Sequence, residues 1–271
     1  MVVTRLTVSL VALCVAATGP LLGSRDNPTP EEVQKIIERF AAKEAEFAQA
    51  RQNYIYRQSL RFHEMEPGGA VVGKWEEVWD VLFTAEGKRT ERVIRAPVQS
   101  LKQILLEPED LQDLRSVQPF VLTTKDLPKY NVHYLGKETL DEIPCFVFVV
   151  KPKTLEKGER YFSGIVWVDD RDLQIVKSYG RGVGIKRSKG SQYPKFETYR
   201  QQVDGKYWFP TYTVSNSTLM FENPVPIRMV VRYDDYKQFK AESTITFTDS
   251  NIVFEDDVKK PDEKKPEQKK Q

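Results

Sequence analysis

The stretch Tyr134–Gly180, YLGKETLDEIPCFVFVVKPKTLEKGERYFSGIVWVDDRDLQIVKSYG, decides the fold class of this chain. Runs of β-branched and aromatic residues alternate there with turn-forming pairs such as Lys157-Gly158 and Asp169-Asp170. Runs that recur every ~8–12 residues indicate antiparallel strands joined by hairpins. Parallel strands need crossover connections of about a dozen residues or more, and the spacing leaves no room for them. The stretch therefore predicts an antiparallel meander and argues against the parallel nucleotide-binding folds.

The same pattern continues on both sides of this stretch and predicts about eleven strands in one curved antiparallel sheet. The predicted strands span 54–62, 73–84, 88–94, 130–135, 145–150, 161–168, 173–179, 195–203, 207–214, 227–239 and 243–254. So many strands with few helices form a strongly curved sheet or an incomplete barrel around an apolar interior. We expect a mainly β fold of this half-barrel kind, capped by helices.

An amphipathic helix is predicted to precede the strands. Thr29 is a suitable N-cap, Pro30 suits the first helical position, and Glu32 completes a capping box. Apolar residues then recur at helical spacing to about residue 51. We expect this helix to lie against the sheet.

A second helical element, over 98–116, interrupts the meander. Pro97 opens it, and Leu101, Ile104 and Leu105 share one face of the predicted helix. An apolar helical insertion of this kind packs on one face of a sheet. We expect it to act as a movable lid.

The N-terminal residues have the pattern of a secretory signal peptide. Arg5 precedes an apolar run of 12 residues, 6–17, and Gly19-Pro20 follows. A membrane-spanning helix needs about 20 apolar residues, so export is favoured over a permanent anchor. A lipid attached to Cys14 is the alternative. The predicted organisation is a signal peptide at 1–24, one half-barrel domain at 25–258 and a charged, disordered tail at 259–271, in a periplasmic protein.

Charge argues against nucleic-acid binding. The chain has 41 Lys and Arg against 39 Asp and Glu, a formal net charge of +2. The tail 259–271 carries six lysines and three acidic residues, so the rest of the chain is close to neutral. A domain that binds nucleic acid normally has a basic excess.

Familiar catalytic and metal-binding patterns are missing. His63 and His133 stand far apart without a partner motif, and no GxSxG sequence occurs. Asp169, Asp170 and Asp172 fall between two strands, where a hairpin turn explains them. Cys145 lies in the apolar run IPCFVFVV and is predicted to be buried rather than reactive. We expect no enzyme activity, no metal and no cofactor.

Two constellations are candidate binding sites. The glycine-rich segment GRGVGIKRSKG has the cations of a possible site for an anionic headgroup or an acidic partner, although a plain hairpin loop also explains it. Its basic residues are Arg181, Lys186, Arg187 and Lys189. Apolar residues on the strands and the lid line a cavity or form ordinary core, and the sequence leaves this choice open. They are Trp75, Trp79, Leu101, Ile104, Leu105, Phe146, Phe148 and Trp167.

The chain resembles the LolA/LolB-like family of outer-membrane lipoprotein-sorting proteins. The resemblance is carried by YLGKETLDEIPCFVFVVKPK, YFSGIVWVDDRDLQIVKSYG and KYWFPTYT. It implies an incomplete barrel capped by helices that shield acyl chains, and a basic residue on a strand that holds the lid closed. Arg89, Arg92 and Arg95 lie near the corresponding place.

The sequence therefore predicts a periplasmic carrier or chaperone of lipid or lipoprotein acyl chains. Each methylene exposed to water costs about 0.8 kcal/mol, so an acyl chain needs a shielded path between membranes. The alternative is a sensor or scaffold of the same fold that binds the envelope membrane or a membrane-bound partner protein through its sheet edge or rim. A hydrolase acting on envelope material is a third, less supported hypothesis.

Overall fold

The structure is a computed structural model that describes residues 27–84, 86–184, 193–238, 245–247 and 252–254. The predicted signal peptide at 1–24 and the tail at 259–271 lie outside the described residues. So do three of the four predicted basic loop residues, Lys186, Arg187 and Lys189.

The first element is helix α1 (Pro30–Ala50), which begins as the sequence predicts. The Thr29 hydroxyl accepts a hydrogen bond from the backbone N–H of Glu32, and the Glu32 carboxylate accepts one from the backbone N–H of Thr29. The helix buries Ile37, Phe40 and Phe47. The Phe40 ring lies 5.3 Å from the ring of Phe148 on the sheet, so α1 packs on the sheet through its apolar stripe.

Ten strands form one open antiparallel sheet in the order β3-β2-β1-β10-β9-β8-β7-β6-β5-β4. They are β1 (Tyr54–Met65), β2 (Val71–Phe83), β3 (Arg89–Gln99), β4 (Tyr130–Leu140), β5 (Ile143–Pro152), β6 (Arg160–Asp169), β7 (Ile175–Gly184), β8 (Phe196–Val203), β9 (Tyr207–Leu219) and β10 (Val225–Gln238). Each pair of neighbouring strands in the sheet is also consecutive along the chain, except for β1 and β10. The predicted half-barrel meander is confirmed.

Of the predicted eleventh strand, 243–254, the described parts are two short strands, β11 (Ile245–Phe247) and β12 (Ile252–Phe254), which pair with each other. Ten of the about eleven predicted strands therefore form the described sheet. The β4–β5 hairpin shows why local signals located the other strands well: Asp141 and Glu142 take positive φ angles of 46° and 70°, which suits a two-residue turn between directly paired strands.

The second helical element is shorter than predicted. Residues 98–99 belong to β3, and 100–107 form no helix. Helix α2 (Pro108–Gln112) continues into a π-helical turn (Asp113–Val117), and a 3₁₀ turn (Leu127–Lys129) leads into β4. We call residues 100–120 the capping segment. It and α1 cover the same face of the sheet, which we call the inner face.

Candidate ligand site beneath the capping segment

Between the capping segment and the inner face lies a small, mainly apolar cavity of about 30 Å³. Strands β1, β9 and β10 contribute Leu60, Phe62, Leu219 and Met229; the capping segment contributes Leu106, Asp110, Leu111, Asp113, Leu114 and Gln118; and Pro194 completes the lining. Pockets for small ligands usually measure ~300–1,000 Å³. In this closed arrangement the space therefore has room for a water molecule or two but not for an acyl chain.

A buried glutamate holds the start of the capping segment. Glu64 on β1 is fully buried, and its carboxylate accepts hydrogen bonds from the backbone N–H groups of Lys102, Gln103 and Ile104, with N···O distances of 2.7, 2.9 and 2.6 Å. These N–H groups point at a carboxylate on the sheet, which explains why the helical periodicity of this region does not produce a helix. Gly73 makes room for the carboxylate, because a Cβ there would lie 2.2 Å from Glu64 Oε2.

A buried ion pair holds the middle of the capping segment. The Arg160 guanidinium on β6 donates to both carboxylate oxygens of Asp113, at 2.9 and 2.6 Å. Both side chains are nearly inaccessible, with exposed fractions of 0% and 8%. The Arg160 guanidinium also lies 3.7 Å from the ring centre of Tyr193. Gly182 leaves room for the Arg160 guanidinium, since a Cβ at this position would lie 2.1 Å from Arg160 Nη2.

A second ion pair joins the capping segment to β3. Arg115 donates two hydrogen bonds to the carboxylate of Glu91, at 3.0 and 2.9 Å, and Arg89 also binds Glu91. Burial opposes ionisation of Glu91, but the hydrogen bonds and charges of Arg115 and Arg89 outweigh it and lower the Glu91 pKa. Nearby Glu77 has a raised pKa because of burial, to which the Glu91 charge adds.

The end of the capping segment is bound to the sheet through its backbone. The Thr198 hydroxyl donates to the carbonyl of Gln118 at 2.8 Å, and the Arg200 guanidinium donates to the carbonyl of Phe120. Arg200 also pairs with the buried carboxylate of Glu44 on α1 at 3.2 Å. Burial raises the pKa of Glu44, whereas the charge of Arg200 lowers it. Arg200 therefore joins the sheet, α1 and the capping segment.

The capping segment is thus held at four places by charged side chains of the strands, Glu64, Arg160, Glu91 and Arg200. The basic residues among them are not the ones that the family resemblance suggested. Arg92 instead binds the carboxylate of Asp80 at 2.8 Å, no contact of Arg95 with the capping segment is described, and Arg89 acts only through Glu91. The sequence analysis missed Glu64, Asp113 and Arg160. The glycines in the strands were the available signal, because glycine inside a strand often marks a close approach.

The predicted cavity residues on the strands divide between the two faces. Trp79 and Phe148 are buried in the inner core, with exposed fractions of 5% and 0%, and Phe146 is 9% exposed. Trp75 is partly buried against the same core. None of these four residues lines the closed cavity. They form the inner core that adjoins it.

Trp167 does not lie on the inner face, which corrects the prediction that it lines the cavity. It alternates along β6 with Val166 and Val168, which are both fully buried in the inner core. Its indole N–H donates to the carboxylate of Glu138 at 2.8 Å, and the ammonium of Lys177 lies 4.9 Å from its ring centre. Apolar neighbours on both sides misled the prediction, because the outer face of the sheet also has large apolar residues.

The predicted apolar residues of the lid also divide. Ile104 is 4% exposed and belongs to the inner core, and Leu101 is partly buried against it. Leu105, however, is 71% exposed, so its prediction as a cavity residue is wrong. The backbone of 102–104 follows the Glu64 carboxylate instead of a helix, and so Leu101, Ile104 and Leu105 do not share one face. Of the predicted basic cluster only Arg181 is described; it lies on β7, opposite Ser163 of β6, and is half-buried.

The metal-binding side chains and the cysteine thiol of the described residues stand apart from one another. No three His, Cys, Asp or Glu side chains come together there as a metal site would require. Cys145 is 1% exposed, and burial, together with the charges of Asp169 and Asp170, raises the pKa of its thiol to about 12. Within the described parts of the chain no helix has the length and apolar character needed to cross a membrane.

No protein-family profile and no curated protein sequence matches the chain. Solved structures with a similar fold include a DUF1329 family protein from Desulfovibrio piger, with 14% identity, a TM-score of 0.40 and coverage of 77% of this chain and 92% of that one. They also include an outer-membrane lipoprotein-sorting protein domain from Vibrio parahaemolyticus, with 14% identity, a TM-score of 0.39 and coverage of 75% and 94%. A LolA superfamily protein from Nitrosomonas europaea has 13% identity, a TM-score of 0.35 and coverage of 76% and 93%. The resemblance to lipoprotein-sorting proteins is one of fold.

Proposed function

We propose that the protein is a non-enzymatic periplasmic carrier, which shields acyl chains of lipids or lipoproteins between the capping segment and the inner face. The observation that carries this proposal is the cavity beneath the capping segment, which is lined mainly by leucine, phenylalanine and methionine side chains. The cavity lies where the apolar side of the capping segment contacts the inner face. An acyl chain that enters there needs no catalytic group.

Entry of a chain requires the capping segment to move, because the closed cavity measures only about 30 Å³. Movement breaks the Asp113–Arg160 contact and exposes the apolar lining. Ten buried methylenes contribute about 8 kcal/mol toward the cost of opening. Both charged groups also regain water when the segment opens, which lowers that cost.

A second candidate function, binding of a partner protein, is favoured by the edge strand β3. Val93, Ile94 and Val98 are 56%, 43% and 46% exposed, and among the described residues β3 pairs only with β2. An exposed edge strand can accept an added strand from another protein. Pro97 has no backbone N–H and so interrupts the row of N–H donors along β3.

Binding of a fluorescent long-chain fatty acid to the purified mature protein tests the carrier function. We expect saturable binding to one site per chain. Met229→Gln places an amide in the cavity lining, where an acyl chain offers it no hydrogen bond, so affinity should fall about tenfold. Val230→Gln is the matched control, since Val230 is the next residue on β10 and faces the other side of the sheet. Absence of saturable binding, or equal effects of the two substitutions, would contradict the proposal.

A further inference from the structure

A second feature of the inner face lies next to the candidate cavity, where the end of α1 meets the turn between β2 and β3. The 3₁₀ turn Arg51–Asn53 follows α1 directly. Gln52 packs so closely on Gly87 that a Cβ there would lie 2.4 Å from the Gln52 side-chain oxygen. This packing brings Arg51 to the corner where the inner face of β1 approaches the start of β3.

Buried hydrogen-bond donors collect at this corner without acceptors. Gln58 and Trp79 stand opposite each other on β1 and β2 and are 0% and 5% exposed. Gln58 Nε2 and Trp79 Nε1 have no hydrogen-bond partner among the described residues, and neither do the Nε atoms of Arg51 and Arg89. The Gln58 side-chain oxygen already accepts from Arg89 at 3.0 Å, so it is not available to these four donor atoms. Buried donors without acceptors are rare and costly, and a ligand is one reason for their presence.

Arg51 is the cation of this corner that no described carboxylate pairs with, whereas Arg89 pairs with Glu91 and Arg200 with Glu44. The charged groups that influence the corner from the surrounding elements are Arg51, Arg89, Arg115, Arg200, Glu44, Glu77 and Glu91. Arg51 forms no side-chain hydrogen bond and no ion pair with any described residue; its guanidinium lies 5.8 Å from the ring centre of Phe47. Burial lowers the pKa of Arg51; Arg200 and Arg89 act in the same direction, whereas Tyr56 and Glu44 oppose the shift. An anion placed here would relieve both the repulsion and the unmet donors.

The corner and the cavity are neighbours along strand β1. Gln58 precedes Leu60 by two positions on β1, so both side chains face the same side of the sheet about 7 Å apart. Leu60 lines the cavity beneath the capping segment. We infer that this corner, formed by Arg51, Gln58, Trp79 and Arg89, binds the anionic headgroup of an amphiphile whose acyl chain lies beneath the capping segment. The inference rests on the proposed function and adds the class of headgroup, a carboxylate or a phosphate.

Four ligands test the assignment: palmitate, palmitoyl lysophosphatidic acid, monopalmitoylglycerol and inorganic phosphate. The first three share one acyl chain and differ in headgroup, and the fourth has no chain. Displacement of a fluorescent acyl probe from the wild-type protein gives the affinities of the three amphiphiles, and calorimetry gives that of phosphate. We expect the anionic amphiphiles to bind about tenfold or more tightly than the neutral one, as charge-assisted hydrogen bonds would give. We expect phosphate alone to bind weakly.

Variants locate the effect. Arg51→Met should reduce the preference for anionic over neutral amphiphiles to about twofold or less, while Arg51→Lys keeps the charge and part of the preference. Arg228→Met is the matched control on an exposed outer-face arginine and should leave the preference unchanged. Because Arg51 lacks a charged partner, the unliganded Arg51→Met protein should melt at the wild-type temperature or above. That result separates a ligand-binding arginine from a merely structural one.

The outcomes distinguish this inference from the proposed function. Equal affinity of the wild-type protein for neutral and anionic amphiphiles would overturn the headgroup site and leave the carrier function standing. A preference that survives Arg51→Met would overturn it too, provided that the variant melts cooperatively. If no amphiphile binds, the proposed function fails, and binding of inorganic phosphate that Arg51→Met abolishes would then reassign the corner to a free anion.

Discussion

Asp113→Asn should destabilise the folded protein and at the same time strengthen its binding of acyl chains. The substitution removes the charge that compensates Arg160, whose side chain is completely buried in the closed arrangement. Loss of one partner of a buried ion pair costs about 3–5 kcal/mol. In a domain of this size that lowers the melting temperature by on the order of 10 °C. When the capping segment opens, Arg160 regains water, so the cost falls on the closed state.

This difference between the two states predicts the change in affinity. For a ligand that binds only the open state, the apparent dissociation constant equals the intrinsic constant divided by the fraction of protein that is open. Weakening the closed state by about 3 kcal/mol therefore raises affinity by up to about 100-fold, until the open state predominates. The assay is titration with a fluorescent fatty acid, combined with hydrogen exchange of the amides in 105–117. Exchange there should become faster in the unliganded variant.

Asp80→Asn is the matched control for this prediction. The Asp80 carboxylate is equally buried and binds Arg57 and Arg92 at 2.9 and 2.8 Å, but it lies away from the capping segment. We expect a smaller loss of stability, because Arg57 and Arg92 are 40% and 27% exposed, with unchanged affinity and unchanged exchange in 105–117. If Asp113→Asn lowers the melting temperature but leaves affinity and local exchange like those of Asp80→Asn, the capping segment is part of a fixed core and the reasoning is refuted.

Further predictions concern single side chains. Glu64→Gln should cost about 1–3 kcal/mol in chemical unfolding and speed exchange of the three amides that Glu64 binds, because an amide group cannot accept through both atoms; Glu66→Gln, on the exposed neighbouring position, should do neither. With its pKa raised to about 12, the Cys145 thiol should react with a thiol reagent near pH 8 on the order of 10³-fold more slowly in the folded than in the unfolded protein. The raised pKa also contributes to the free energy of unfolding: this contribution is fully present below the ordinary thiol pKa and is lost as pH rises toward about 12. Denaturant unfolding at a series of pH values checks it. Trp79→Ala should cost about 3–5 kcal/mol and Trp167→Ala, on the outer face, about 1 kcal/mol or less in denaturant titration; equal costs would contradict the assignment of faces.

Local sequence signals predicted most of the fold. Thr29 and Glu32 form the expected capping box, and the alternation of residues with turn formers located the strands to within a few positions. These features depend on neighbours close in sequence, such as the Asp141-Glu142 turn, where φ is positive at both residues. The choice of face was predicted less well. Trp167 belongs to a run that is apolar on both faces, and alternation alone cannot assign such a run.

The attachment of the capping segment could not be predicted, because it depends on partners far apart in sequence. Arg160 and Asp113 are 47 residues apart, and Glu64 binds amides about 40 residues away. The chain has 41 basic and 39 acidic residues, so composition does not identify which of them pair. Glu64 also turned a region with helical periodicity into an extended one. The glycine-rich stretch around Gly182, which resembles a phosphate loop in sequence, instead gives the Arg160 side chain the space it needs.

Photo-crosslinking with a fatty acid that carries a diazirine near its methyl end locates the bound acyl chain in the protein. We expect one adduct per chain, located by peptide mapping on cavity residues such as Leu60, Phe62, Leu114 and Met229, and competed away by unlabelled palmitate. Asp113→Asn should increase its yield. Adducts that fall on the outer face around Trp167 or on the edge strand β3, or that resist competition, would contradict an acyl-chain site beneath the capping segment.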